Sequence, residues 1–144
     1  MKRTICVVAA AGTLAAVASL GVAISADRKD VVHVDSATAT YTELAPGASG
    51  ATVWGDRENG PHAAFTKFVA GSEHALHTHT NDLRIVVLKG AYVYKPENGE
   101  EKRVTAGQYL FIPGGDRHAT GSDAKEGALF YQEADGKFDI NFVK

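Results

Sequence analysis

From Asp27 onward this chain has no stretch of useful length with helical spacing of its apolar residues; it is built instead from short strand-like runs separated by glycine-bearing turns. Val31, Val32, Val34, Tyr41 and Leu44 suggest one or two edge strands before Pro46, and Pro46-Gly47 and Ser49-Gly50 are turn signals. Ala51–Trp54 is a short strand, residues 55–61 are a loop, and His62–Ala70 is a strand feeding Gly71. Ile85–Leu88 is a continuous apolar run, the pattern of a strand covered on both faces, and Gly90 turns the chain after it. Ala91–Tyr94 and Lys102–Val104 flank Asn98-Gly99, a strong hairpin signal. Tyr109–Ile112, Arg117–Thr120, Ala128–Gln132 and Lys137–Val143 complete the set, with Asp135-Gly136 as another tight turn. Such a series predicts an all-β domain, an antiparallel sandwich or barrel.

The first residues differ in kind. Met1-Lys2-Arg3 is followed by an apolar, Ala/Val-rich run from Ile5 to Ile24 that ends in Ala23-Ile24-Ser25-Ala26, the layout of a secretory signal peptide over residues 1–26. A retained membrane anchor is the alternative, since roughly 20 apolar residues span a bilayer. Cys6, the single cysteine, would leave with the leader, so residues 27–144 offer neither a disulfide nor a thiolate ligand. The expected location is periplasmic or secreted, with no stable membrane insertion after leader removal. Residues 27–144 carry thirteen basic and seventeen acidic side chains and no basic cluster, which argues against nucleic acid as a partner.

Chemistry concentrates in two segments, Gly71 to Leu83 and Gly107 to His118. On a strand, His77 and His79 share a face because side chains alternate, and His118 from a neighbouring strand would complete a cup of three imidazoles. Three nitrogens leave further positions on a metal open, which distinguishes catalytic sites from closed structural ones.

Gly71, five residues, His77-Thr78-His79 and a closing Gly90 resemble the first cupin motif; Gly107, five residues, Pro113-Gly114-Gly115 and His118 resemble the second. The resemblance implies a single cupin jelly-roll barrel over residues 27–144 with the metal inside, and cupins of this kind often form homodimers. The chain departs from the pattern at Leu83, where the cupin motif has a Glu ligand, and at Ser122, where it has Asn. Asp82 is one residue away and points outward on a regular strand; a bulge at Thr80-Asn81 would reverse that and make it a fourth ligand. The metal-ligand set is therefore His77, His79 and His118. Several further features, the His77-to-Asp82 run, Trp54-Gly55-Asp56 and the ending Asp135 to Asp139, look like a group of small exported cupins without an established activity.

Three neutral imidazoles leave the full dipositive charge on the site, which favours capture of an anionic or chelating small molecule. The ion is a divalent metal: iron, zinc, copper, manganese and nickel are all compatible with imidazole. Iron would suit a dioxygenase-like enzyme, an activity the resemblance implies for cupins lacking the Glu, and zinc would suit hydrolysis or elimination. The alternative is a non-catalytic barrel that binds or senses a metal or small ligand. A ligand-sized cavity at the metal would favour the enzyme, and a site filled by Asp82 or packed aromatics the binding barrel.

Parity turns His74 to the opposite face from His77, as a surface residue, and His62 and His33 lie in edge regions where solvation is expected. Tyr92, Tyr94, Tyr109 and Phe111 are expected in the core or barrel lining. Arg84 should point outward and form a surface ion pair. No Gly-x-Ser-x-Gly elbow, phosphate-cradling glycine loop or paired acidic residues compete with the histidines.

Overall fold

The computed structural model describes residues 30–144, so the expected leader and Cys6 lie outside the described residues. Those residues form ten strands and no helix. They are β1 (Thr42–Ala45), β2 (Ala48–Gly55), β3 (His62–Phe68), β4 (Glu73–Thr78), β5 (Leu83–Pro96), β6 (Lys102–Thr105), β7 (Tyr109–Ile112), β8 (His118–Ser122), β9 (Ala128–Ala134) and β10 (Asn141–Phe142). Every pairing is antiparallel.

The long strand β5 organises the architecture by belonging to two sheets. Its first half, from Leu83 to Gly90, pairs with β7 and β9 in a sheet that continues through β3 and β2 to β1. Its second half, from Ala91 to Pro96, pairs with β6 and β8 in a sheet that continues through β4 to β10. The change of sheet falls at a register shift between Val87 and Lys89. Gly90 follows it with φ of 68°, and a Cβ there would stand 2.1 Å from the carbonyl oxygen of Gly127. Only glycine meets both demands. Gly90 thus bends one continuous strand between sheets and does not reverse the chain, which corrects the expectation of a turn there.

Inward side chains of both sheets make one core around Leu83, Ile85, Val87, Tyr92, Ile112 and Phe130. Along β5, Leu83, Ile85 and Val87 are buried while Leu88 is 42 % exposed, so this strand is covered on one face and not on both. Its apolar run continues onto the solvent side, where it is joined by Phe111 and Tyr109, 46 % and 59 % exposed. Tyr92 and Tyr94 are buried as expected; Tyr109 and Phe111 are not, because they occupy the outward positions of β7.

Three smaller differences have local causes. Ser49-Gly50 lies within β2, since Pro46-Gly47 already makes the turn, with Gly47 at φ of 79°. Residues 31–34 form no strand. The stretch 137–143 contributes only the two-residue β10, because side-chain and main-chain contacts with the loops around residues 57 and 80 occupy the rest.

Candidate metal centre

The site begins with an irregularity. On β8, His118 and Thr120 are two residues apart and both are buried. Their partners on β4 are His77 and His74, three residues apart, with a register shift between them. One extra residue is accommodated as a bulge, and that restores His74 to the inner face together with His77. Strict alternation would have sent it outside. His74 is accordingly half-buried against Phe68, ring centroids 4.5 Å apart, and its Nε2 is buried without a hydrogen-bond partner. The surface expectation for His74 is corrected by this bulge.

His79 sits one residue beyond β4, and its ring still faces the same interior. His77, His79 and His118 are all buried, with ligand atoms within 4.8 Å of one another. Ring centroids are 4.8 Å apart for His77 and His79, 4.6 Å for His77 and His118, and 5.4 Å for His79 and His118. Each Nδ1 is within hydrogen-bond reach of a main-chain carbonyl: Ala75 for His77 at 2.7 Å, Asp139 for His79 at 2.5 Å and Asp116 for His118 at 3.1 Å. A neutral imidazole that donates from Nδ1 presents its lone pair at Nε2, so the tautomer suited to a metal is set three times over. The Nε2 of His118 is buried and unpartnered, as expected of a ligand atom waiting for an ion. The donor set and its second layer of hydrogen bonds fit a divalent metal.

Electrostatics agree with that use. Burial lowers the pKa of His79 to about 4, partly opposed by the hydrogen bond that its ring donates to the Asp139 carbonyl. Burial, then the neighbouring His77, also lowers that of His118. Both rings are therefore neutral near pH 7, with no proton for a metal to displace.

Asp82 is spent elsewhere. Its Oδ1 accepts a 2.8 Å hydrogen bond from the Gly114 amide, and the Gly115 amide donates to the carbonyl of His79 at 2.8 Å. The turn at residues 113–115 thereby docks on the turn at residues 79–82, so closely that a Cβ on Gly114 would lie 2.5 Å from the carbonyl oxygen of Thr80. Leu83 is buried in the core and borders the cavity beside the histidines. Arg84 points outward and pairs with Asp135 at 2.9 Å, as expected.

A cavity of about 730 Å³ lies between the sheets, with His74, His77 and His79 on one side and Thr66, Phe130 and Gln132 on the other. That volume suits a small organic ligand. Asp139 and Phe138 form part of the wall, and the Phe138 ring lies 5.0 Å from that of His79.

His62 is fully buried, contrary to the solvated expectation. Its Nδ1 is within hydrogen-bond reach of the carbonyls of Gly60 and Gly136 and its ring meets Phe138 edge-on, so it braces the C-terminal segment. His33 is exposed. Asp139, which holds both His79 and Thr80, had no sequence signal of its own: its partners lie about sixty residues away.

The fold is of the cupin type, and it brings three histidines together in one cup. The chain belongs to the family described as a domain of unknown function (DUF4437), whose pattern matches residues 29–143. It is 35 % identical over 102 residues to the DNA damage-repair/toleration protein DRT102 of Arabidopsis thaliana, covering 70 % of this chain and 31 % of that protein. The chain thus spans about a third of that relative's length. Among solved structures it is similar to the polyketide cyclase RemF from Streptomyces resistomycificus (TM-score 0.67, 16 % identity, 80 % of this chain and 87 % of that one). It is similar also to an RmlC-like cupin from Shewanella frigidimarina (TM-score 0.58, 20 % identity, 71 % and 88 %). A third is the G106A mutant of salicylate 1,2-dioxygenase from Pseudoaminobacter salicylatoxidans in complex with gentisate (TM-score 0.55, 18 % identity, 67 % and 30 %). At these identities the likeness is one of fold.

Proposed function

We propose that this protein is an exported, metal-dependent enzyme of dioxygenase-like type that acts on a small organic molecule, with His77, His79 and His118 as the metal ligands. The observation that carries this reading is the opening of His77 and His79 onto a cavity of about 730 Å³, with these rings and that of His118 each oriented by a main-chain carbonyl. A cup filled by Asp82 would have favoured storage, and Asp82 is bound to Gly114 instead. Leu83, in the place where cupins carry the Glu ligand, leaves the ion's charge uncompensated and gives the substrate an apolar wall. A divalent ion held there supplies Lewis acidity and, as iron, dioxygen chemistry. The protein's own part is to orient the three imidazoles, keep His79 and His118 unprotonated and enclose the substrate between two sheets.

The likeness to a salicylate 1,2-dioxygenase supports the reading at the level of fold, while the likeness to a polyketide cyclase shows that the fold also carries other chemistry. The test is the metal content of the mature protein, purified without a metal-binding tag, beside His77→Ala. About one equivalent of a single metal, lost in the variant while the fold persists, is expected. Stoichiometric metal retained by His77→Ala overturns the site. Iron held without oxygen uptake on any chelating substrate favours a non-catalytic binding barrel. Export is checked in the same preparation by the mass of the mature chain, which should begin at residue 26 or 27.

A further inference from the structure

The cavity wall beyond the histidines carries polar groups that the metal does not use. Thr66 on β3 and Gln132 on β9 are buried on the inner face of one sheet, and His74 looks in from the other. Thr66 Oγ1, Gln132 Nε2 and His74 Nε2 are each buried without a hydrogen-bond partner among the described residues. An unpartnered buried polar atom is costly in a folded protein, so three among the residues lining one cavity point to a ligand that satisfies them.

Arg57 is the one cationic side chain among the described residues that line the cavity, beside three acidic ones, Asp56, Glu58 and Asp139. Arg57 is half-buried, and burial lowers its pKa. Among the described residues no carboxylate lies within ion-pair distance of it. Its guanidinium stacks over Phe138, 4.0 Å from the ring centroid, and that ring is in turn 5.0 Å from His79. The Phe138 amide donates to the Arg57 carbonyl at 2.8 Å, which holds the two residues together. Two acidic neighbours on the wall are already engaged: Asp56 binds the amides of Glu58 and Asn59, and Asp139 binds Thr80. Glu58 is exposed at the rim. A positioned, desolvated guanidinium one aromatic ring away from a metal cup is suited to a carboxylate, which it can bind in bidentate fashion.

We infer that the substrate is a small organic acid whose carboxylate pairs with Arg57 while its opposite, chelating end lies at the histidine cup and its polar body meets Thr66, His74 and Gln132. This rests on the metal reading above, and the experiment separates the two. The zinc-loaded protein, inert to oxidation, is titrated calorimetrically with 3,4-dihydroxyphenylacetate and with 4-methylcatechol, which share a chelating end and differ in the carboxylate. The acid should bind at least about tenfold more tightly, and Arg57→Gln should abolish that preference while keeping its zinc and its affinity for 4-methylcatechol. No preference in the wild-type protein, a preference that survives in Arg57→Gln, or zinc-loaded protein that binds neither probe overturns the inference and leaves the metal reading standing. Failure of the wild-type protein to hold zinc or any other divalent ion overturns both. The wild-type comparison decides the matter even where the variant does not fold.

Discussion

Asp139 grips the Thr80 amide and hydroxyl with its carboxylate, at 2.8 and 2.6 Å, and orients His79 with its own carbonyl. Asp139→Ala leaves that carbonyl in the chain but frees the segment that carries it. Metal affinity should fall about 10- to 100-fold, as for other partners of ligating histidines, in competition with a chromophoric chelator; unchanged affinity would show that packing alone holds His79. The same histidine makes the metal-free protein sensitive to acid. Its folded pKa of about 4 lies below the 6.5 of the unfolded chain, so between these values the unfolded chain binds the additional proton. The contribution is present in full above pH 6.5 and is lost as pH falls towards 4, a change of about 3 kcal/mol. Urea unfolding of the metal-free protein at pH 7 and pH 4.5 should show this loss, and His79→Leu should show a smaller one. At this scale His77 and His79 were legible because a spacing of two puts them on one face, and His118 because its segment resembles the second cupin motif. His74 was not, since the bulge in β4 that turns it inward leaves no trace in an alternating pattern.

Strand β5 carries the chain from one sheet to the other, and the passage depends on a single residue without a side chain. Gly90→Ala would combine a left-handed φ of 68° with a contact of 2.1 Å to the Gly127 oxygen, neither of which a small shift relieves. A loss of more than about 2 kcal/mol is expected by chemical denaturation. Gly107, with φ of 82° but no atom within 4 Å of its would-be Cβ, should lose only about 1 kcal/mol on replacement by Ala. Equal losses at the two positions would mean that backbone strain, and not the close approach of β5 to the 127 turn, is what Gly90 relieves. The starts of β3 at His62 and of β6 at Lys102 and both limits of β7 could be read locally, while β3 ends at Phe68 and not Ala70 and β6 at Thr105 and not Val104. That residues 83–96 form one strand could not, because a glycine that bends a strand and one that reverses a chain look alike in sequence.

At the scale of the molecule, the three histidines that could hold a metal come from β4, the segment just after it and β8, while the C-terminal residues 138–142 close over them through Asp139 and the pairing of β10 with β4. An ion bound to this arrangement and not to the unfolded chain should stabilise it by about 2.7 kcal/mol at a hundred times its Kd. Zinc should therefore raise the unfolding midpoint of the wild-type protein and leave that of His118→Ala unmoved; an equal rise in both would place the ion elsewhere. The sequence by itself determined the all-β class, the shared face of His77 and His79 and the outward course of Arg84, because each follows from two-residue periodicity within a few residues of the chain; His118 was joined to them by the resemblance of its segment to the second cupin motif. Only the tertiary structure decided that His74 faces the cavity, that His62 is a buried brace, and that Asp82 caps Gly114. It decided likewise that Arg57 stands beside Phe138 with no carboxylate partner among the described residues. These depend on a bulge and on contacts between residues about thirty to eighty positions apart, and a local pattern holds no information about which distant backbone or ring will be near enough to bind.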